Sequence, residues 1–321
     1  MQVFTDFSDY QNDGQSWVVA LGNFDGVHKG HQAVIERAKI LAKKLGAKTA
    51  VVTFEPHPKH YFNPDLPPFR LTPRKTKRFF INKLGVDAIF ELEFNKNLAQ
   101  TEAYDFVKDI LVGKFNAAAV VTGYDFHFGK NRKGTPQFMA TMAKEFGFDY
   151  ICIDAITDEN GISWSASRIR EALANGDINE AIEILGRPFM FQGEVIHGQA
   201  LGRTIGFPTA NVLPLEYLRP MKGVYAVKAK IIGEDDIWRD AIANIGNRPT
   251  VEGQHHTLIE VHLLNWDGDL YGKRLRTALL GFVRKEQKFD GIESLKQQIE
   301  KDVTVTKEIL AQYQPNSLKK K

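Results

Sequence analysis

Two stretches of this sequence bring together residues whose types and spacing suit chemistry on phosphates. The first is Gly22-Asn23-Phe24-Asp25-Gly26-Val27-His28-Lys29-Gly30-His31. It joins an apolar, strand-like run to an amphipathic, helix-like one, so its backbone N–H groups and the positive end of the helix dipole favour an anion. Gly22, Gly26 and Gly30 permit the turn and a close approach. His28 and His31 can project imidazoles toward one phosphate, where imidazolium donors stabilise the charge that develops as pyrophosphate leaves. No Gly-Lys-Ser/Thr follows, and the run is not Gly-x-Gly-x-x-Gly, which excludes a Walker loop and the dinucleotide fingerprint. A zinc reading lacks His-Glu-x-x-His and an evident third ligand. Two surface histidines without a role is the other alternative.

Ser165, Ser167 and Arg168 open a second helix-like run and form a candidate second anion site, with helix capping by either serine as a compatible alternative. The second stretch runs from His197 to Asn211 and holds Gly198, Gly202, Arg203, Gly206, Pro208 and Thr209. Its glycines let backbone amides approach a polyphosphate. Thr209 and Asn211 can place two neutral oxygens beside a magnesium ion carried by a nucleotide; the plain alternative is a Gly-Pro turn with satisfied hydroxyls. Glu260 sits on a predicted strand, with Ile259 and Val261 directed to the opposite, core side. Taken alone, such a glutamate reads as structural rather than catalytic.

The elements that must position these residues change character along the chain. Residues 16–21 and 49–54 read as buried β-branched strands. Between them a helix over 31–45 puts Val34, Ile35, Ala38, Leu41, Ala42 and Leu45 on one face, and Gly46 stops it. Together they form one βαβ unit with its loop at the carboxyl edge of a parallel sheet. Strands at 87–92, 117–122 and 150–153 alternate with helices at 103–111 and 137–146, the pattern of a doubly wound α/β sheet. Pro56, Pro58, Pro64, Pro67, Pro68 and Pro73 mark the intervening stretch as a long loop, a candidate flap beside the binding edge. Helices at 167–174 and 178–185 end at Gly186-Arg187-Pro188, where the domain boundary is expected: 1–186 and 187–321. Beyond it, short strands at 189–197, 223–232, 240–245, 258–264 and 275–283 read as an antiparallel barrel or sandwich. A last helix over 292–313 is expected to pack Leu295, Ile299, Val303 and Ile309 on it, despite the poor helical sequence of 303–306.

Composition narrows the function classes. A length of 321 residues favours two domains, and 43% hydrophobic with 25% charged residues is an ordinary globular balance. The net charge of +3 is too small to argue for a nucleic-acid polymer. Cys152 is the single cysteine, which rules out an intrachain disulfide and fits the cytosol. The first thirteen residues do not read as a signal peptide, no run reaches the ~18 apolar residues of a membrane helix, and Lys319, Lys320 and Lys321 read as a solvated tail.

The His28-Lys29-Gly30-His31 pattern resembles the nucleotidylyltransferase superfamily, in which an acceptor phosphate attacks the α-phosphorus of ATP directly. Thr53-Phe54-Glu55-Pro56-His57-Pro58, Gly123-Tyr124-Asp125-Phe126-His127-Phe128-Gly129 and Ser165-Ala166-Ser167-Arg168-Ile169-Arg170 follow in order. With the 197–211 run and Asn244-Ile245-Gly246-Asn247-Arg248-Pro249-Thr250, the set resembles the prokaryotic bifunctional riboflavin kinase and FMN adenylyltransferase family over nearly the whole chain. Family members usually carry Ser-Ser-Thr where this chain has Ser165-Ala166-Ser167, one hydroxyl fewer.

The resemblance implies a Rossmann-like α/β nucleotidylyltransferase domain followed by an antiparallel β-barrel riboflavin kinase domain with a terminal helix. It implies two ATP- and magnesium-dependent reactions, riboflavin to FMN and FMN to FAD. Asn23, Asp25, His28 and His31 would line the ATP phosphates, and Ser165, Ser167 and Arg168 would hold them from the opposite side, supported by Arg170. His57, Asn63 and Asp125 match positions near flavin or nucleotide. Phe126 and Phe128 alternate as on a strand, with one of them a core residue. Glu260 would be the general base on the ribityl 5′-hydroxyl. Arg284 matches a flavin position, with an ion pair to Glu286 as the alternative. Rival readings are a kinase whose first half only binds nucleotide, a flavin sensor with both activities lost, and a cytidylyl- or pantetheine-type transferase.

Overall fold

The computed structural model describes residues 1–5, 10, 12, 14–197, 201–249 and 255–313. Its contacts divide the chain into two compact units, Met1–Pro67 with Thr72–Ser165, and Pro68–Leu71 with Ala166–Lys321.

The first unit is built on β1 (Gln2–Phe4), β2 (Trp17–Leu21), β3 (Lys48–Glu55), β4 (Ala88–Glu93), β5 (Ala117–Gly123) and β6 (Asp149–Ile153). They form one sheet in the order β1-β4-β3-β2-β5-β6, and every pairing is parallel. Parallel strands bury both faces, and accordingly all of Trp17, Val18, Val19, Ala20 and Leu21 in β2 are buried. From β2 the chain proceeds to β3 on one side, and β5 lies on the other. The carboxyl end of β2 is therefore a topological switch point, where open α/β sheets bind ligands.

Helix α1 (Lys29–Leu45) buries Val34, Ile35, Ala38, Leu41 and Ala42 and ends at Gly46 in the left-handed region, φ 64°. Leu45, expected on the same face, is the last residue of the helix and is exposed. The proline-rich stretch is not the continuous loop expected. It holds α2 (Pro58–Phe62), with Pro58 in the first turn, where its missing N–H costs nothing. It then leads into α3 (Arg74–Asn82), with Pro73 at its N-cap. Two short helices follow β4, α4 (Lys96–Gln100) and α5 (Ala103–Asp105); α5 runs into a π-helix, Phe106–Lys114. Helix α6 (Pro136–Phe146) is capped by Thr135, whose side chain accepts from the Phe138 N–H.

The second unit opens with α7 (Ala166–Asn175) and α8 (Ile178–Leu185). The strands that follow are β7 (Phe189–Ile196), β8 (Ala210–Val212), β9 (Gly223–Ile232), β10 (Arg239–Pro249), β11 (His255–Leu263) and β12 (Arg274–Lys285), with the short helix α9 (Leu201–Thr204) before β8. They close into a barrel in the order β10-β11-β8-β7-β12-β9, with antiparallel pairs. The expected boundary after Gly186 lies between α8 and β7; the contact division falls earlier because α8 packs against β7 and β12.

Helix α10 (Ile292–Gln312) covers an apolar part of the barrel's outside. Val303 packs on Val224, Ile242 and Leu264, and Ile309 packs with Ala226, Leu280 and Leu310. Leu295 and Ile299, expected in this contact, are half-buried, as Val303 and Ile309 are, but do not join these two clusters; the fully buried residues of the helix are Asp302, Thr306 and Leu310. The helix runs unbroken through 303–306, since packing outweighs the modest helix penalty of Val and Thr.

Candidate active sites

The strands β3, β2 and β5 are adjacent and parallel, so the segments after their carboxyl ends share one edge. His57 and Asn63 flank α2 after β3, the glycine loop follows β2, and Asp125 follows β5. Ser165 closes this unit after β6. The candidate residues that follow β2, β3 and β5 therefore share one edge of this unit through topology, although they are far apart in sequence.

Within the loop, Phe24, Gly26 and Val27 have φ of 52°, 91° and 44°. This leads into α1 with His28 as its N-cap residue. The His28 and His31 rings stack with centroids 3.6 Å apart and planes 28° apart. Phe24 meets the His31 ring edge to face at 5.3 Å. Asp25 is buried, and its Oδ1 accepts from the Thr72 N–H at 2.9 Å, while the Gly26 N–H donates to Thr72 Oγ1 at 2.8 Å. The Asn23 carbonyl accepts from Thr53 Oγ1 at 3.1 Å and from Lys77 Nζ at 3.4 Å.

The Trp164-Ser165 segment runs past this loop. Lys29 Nζ lies 4.1 Å from the centre of the Trp164 ring, and a Cβ on Gly30 would stand 3.1 Å from the His28 ring and 3.6 Å from the Trp164 carbonyl. Gly22 is similarly close-packed, with a Cβ there 3.2 Å from the Phe24 ring. Ser167 and Arg168 belong to the first turn of α7, in the second unit, where Arg168 Nε pairs with Glu180 Oε1 at 2.6 Å. Arg170 Nε donates to the Phe69 carbonyl at 3.0 Å.

His57 caps α2, its Nδ1 accepting from the Lys59 N–H at 3.1 Å, and Asn63 ends the helix with Nδ2 3.4 Å from the Lys59 carbonyl. Asp125 is exposed, and its carbonyl contacts His127 Nδ1 at 2.9 Å. Phe126 and Phe128 do not alternate on a strand. They lie in a turn closed by the Phe128–Gly134 bridge, with rings nearly parallel (12°) and 6.1 Å apart; Phe128 is buried in the core and Phe126 packs on it.

On the barrel, the register places Glu260 opposite Asn244 of β10 on one side and Asn211 of β8 on the other. Residues directly opposite in antiparallel pairs point to the same face. Ile245, Ile259, Val261 and Val212 fill the core, so Asn211, Glu260 and Asn244 form a polar row on the outer face, as expected for Glu260. Asn244 Nδ2 donates to Glu260 Oε2 at 3.3 Å, and Asn211 is buried. The turn before β8 is tight: the Phe207 N–H donates to the Gly202 carbonyl at 2.7 Å, and a Cβ on Gly202 would stand 2.2 Å from the Phe207 carbonyl and 3.5 Å from Thr209 Oγ1. Only glycine fits there. The Gly206 N–H donates to the carbonyl of Arg203, an exposed residue, and Gly206 itself has φ 86°. His262 Nδ1, acting as donor, meets the Pro208 carbonyl at 2.7 Å. Gly198 and Thr250 lie outside the described residues.

Arg284 does not pair with Glu286. Its Nε reaches both Asp302 carboxylate oxygens at 2.9 Å and its Nη2 reaches Oδ2 at 2.8 Å, while Gln298 Nε2 donates to Oδ1 at 2.8 Å. The docking of α10 on the barrel brings Asp302 to it, which no spacing in the sequence announces. The sequence reading assigned no role to Thr72, Lys77, Asn244 or Asp302. Asn244 carries a signal, since a polar residue between Ala243 and Ile245 repeats the pattern of Glu260 between Ile259 and Val261.

Comparison with known proteins finds matches over both halves of the chain. Residues 10–167 match the FAD synthetase family model and residues 185–310 the riboflavin kinase model. A bifunctional riboflavin kinase/FMN adenylyltransferase of Escherichia coli K12 is 38% identical over 298 residues, 93% of this chain and 94% of the relative. The Bacillus subtilis protein of the same name is 41% identical over 291 residues, 89% and 90% of the two chains. A crystal structure named as a macrolide-efflux protein from Streptococcus pneumoniae superposes with a TM-score of 0.84 at 31% identity, covering 95% of this chain and 98% of that one. The efflux name belongs to that protein; among the described residues here, no helix is long and apolar enough to cross a membrane. With both family models matched in order and the curated relatives aligned nearly end to end, this chain belongs to the bifunctional riboflavin kinase/FMN adenylyltransferase family.

Proposed function

We propose that the enzyme's two reactions are assigned to these residues as follows. Riboflavin is phosphorylated at the polar row of the barrel, and FMN is adenylylated at the glycine loop. The observation that carries the reading is the placement of Glu260 between Asn211 and Asn244 in one cross-strand row.

In the kinase reaction Glu260 orients the ribityl 5′-hydroxyl and takes its proton as that oxygen bonds to the γ-phosphorus of ATP and the bond to ADP breaks. A carboxylate suffices because phosphoryl transfer is loose and the proton moves late. Asn244 fixes the Glu260 rotamer through its amide. Gly198, Gly202, Arg203 and Gly206 take the nucleotide phosphates, the glycines by allowing backbone approach. Arg284, held by Asp302, faces the flavin.

Thr209 and Asn211 offer a magnesium ion two neutral oxygens. Among the described residues no group of three or more His, Cys, Asp or Glu could hold a metal. That donor set fits an ion that arrives on nucleotide phosphates and retains water. When bound, magnesium neutralises phosphate charge in both reactions.

In the transferase reaction an FMN phosphate oxygen attacks the α-phosphorus of ATP and pyrophosphate departs. His28 and His31 donate to the charge that develops. Gly22, Asn23, Phe24, Asp25, Gly26 and Gly30 shape the phosphate loop, and Ser165, Ser167 and Arg168 form the second anion site. His57, Asn63 and Asp125 contribute on the flavin side. The functional domains are 1–186 and 187–321, FMN passes between them through solvent, and both reactions run in the cytosol on small-molecule substrates without nucleic acid or membrane.

The test supplies riboflavin, ATP and magnesium and separates the flavins by chromatography over time. Transient FMN followed by FAD is expected. Glu260→Gln should abolish FMN formation while added FMN still becomes FAD, and chelation of magnesium should stop both steps. FMN formation by Glu260→Gln at the wild-type rate would overturn the assignment of the base.

A further inference from the structure

The glycine loop holds an unfavourable backbone. Phe24 and Val27 occupy the left-handed region at φ 52° and 44°, with Gly26 between them at 91°. Left-handed geometry is costly for an aromatic and above all for a β-branched residue, and it persists only where the surroundings over-determine it. Those surroundings lie in Thr72 and Lys77, at the end of the proline-rich stretch and on α3.

Thr72 holds one half of the loop twice. Its N–H donates to Asp25 Oδ1 at 2.9 Å, and its Oγ1 accepts from the Gly26 N–H at 2.8 Å. Lys77 holds the other half. Its Nζ reaches the Asn23 carbonyl at 3.4 Å, Thr53 Oγ1 at 3.0 Å and Glu55 Oε1 at 2.9 Å, and Thr53 Oγ1 itself donates to the Asn23 carbonyl at 3.1 Å. The Lys77 side chain is 0% exposed, and Thr72 and Asp25 are 2% and 3% exposed. A lysine this deep needs its charge matched; Glu55 supplies the match at the end of β3, two residues before His57.

We propose that Thr72 and Lys77 are positioning residues for adenylyl transfer. They touch no reacting atom. They clamp the loop between Asn23 and Gly26 in its left-handed form, so that its N–H groups and the following His28–His31 pair meet the ATP phosphates already oriented. Lys77 also ties that loop to Glu55, so the nucleotide side and the segment carrying His57 share one buried anchor. Preorganisation of this kind is worth up to about 10²-fold in rate when a reacting group is otherwise misplaced by an ångström.

This rests on the reading that the loop binds ATP, and the experiment separates the two. Thr72→Val keeps the N–H bond to Asp25 and removes the hydroxyl, which accepts from the Gly26 N–H and donates to Asp25 Oδ1 at 3.4 Å; Thr72→Ser restores it. Lys77→Met and Lys77→Arg test the second anchor. FAD formation from FMN and riboflavin phosphorylation are measured on each full-length variant, with the KM for ATP in both reactions.

Thr72→Val should raise the KM for ATP in FAD formation about tenfold and lower kcat, leave riboflavin phosphorylation and its ATP KM unchanged, and be rescued by Thr72→Ser. Lys77→Met should show the same split more strongly. Wild-type FAD formation by Thr72→Val overturns the proposal. So does parallel loss of both activities with unchanged KM values, which marks a merely structural role. If His31→Ala leaves FAD formation intact, the binding reading fails, and with it the clamp's function.

Discussion

Replacing Asp302 by asparagine tests how α10 is fastened to the barrel. Asp302 is 3% exposed and receives three contacts from Arg284 at 2.8–2.9 Å and one from Gln298 at 2.8 Å. An asparagine keeps one acceptor, which Gln298 can still use, but turns an NH2 group toward the guanidinium, donor against donor. Breaking a buried ion pair from one side costs ~3–5 kcal/mol, since the remaining charge is left uncompensated. The Arg284 side chain is 19% exposed and keeps Nη1 on the Lys285 carbonyl at 3.0 Å, so the low end applies, about 3 kcal/mol. For a domain of this size, with ~2–4 °C lost per kcal/mol, the melting temperature should fall by about 6–12 °C. Calorimetry on the full chain, combined with riboflavin kinase activity after graded heating, reads this directly. Replacing both partners, Arg284→Met with Asp302→Leu, should recover most of the stability, because a well-packed apolar pair escapes the desolvation penalty. The double variant should still bind riboflavin poorly if Arg284 faces the flavin. A shift below about 2 °C for Asp302→Asn would refute the reasoning, as would a double variant no more stable than the single one.

Two further outcomes follow from the geometry. Gly30→Ala puts a methyl carbon 3.1 Å from the His28 ring, tighter than an ordinary contact, so the stacked His28–His31 pair must shift. FAD formation should fall about tenfold or more with the riboflavin kinase rate unchanged, measured by supplying FMN or riboflavin separately. Asn244→Leu removes the donor to Glu260 at 3.3 Å and should lower kinase kcat about tenfold with little change in melting temperature, measured as initial FMN formation.

The sequence alone specified the elements whose signals are local. A run such as Val18-Val19-Ala20-Leu21 is apolar on both sides and suits a strand buried on both faces, as in a parallel sheet, and α1 shows its buried face and its terminal Gly46 directly. The glycine loop, the histidine pair, Thr209 and Glu260 stand out in the sequence as candidates because phosphate chemistry uses those types at those spacings. Short elements were not: β1 and β8 have three residues each, too few for any periodicity, and are held as strands by their neighbours. Helix α3 was hidden behind the prolines, and with it the anchors Thr72 and Lys77. Phe126 and Phe128 were misread because alternation of two residues does not distinguish a strand from a turn.

Which side chains meet across the chain was decided only by tertiary structure. A carboxylate such as Asp302 carries the same local signal whether it faces solvent or a guanidinium, and only the packing of α10 on the barrel places it on Arg284 rather than leaving Glu286 as the partner. Strand register, likewise, is a property of the closed sheet. It sets Asn211, Glu260 and Asn244 in one row although they are separated along the chain. Local sequence sets what each segment can become, because backbone propensity and periodicity act over a few residues; the contacts that make a site act over any separation, and exist only once burial has selected one packing.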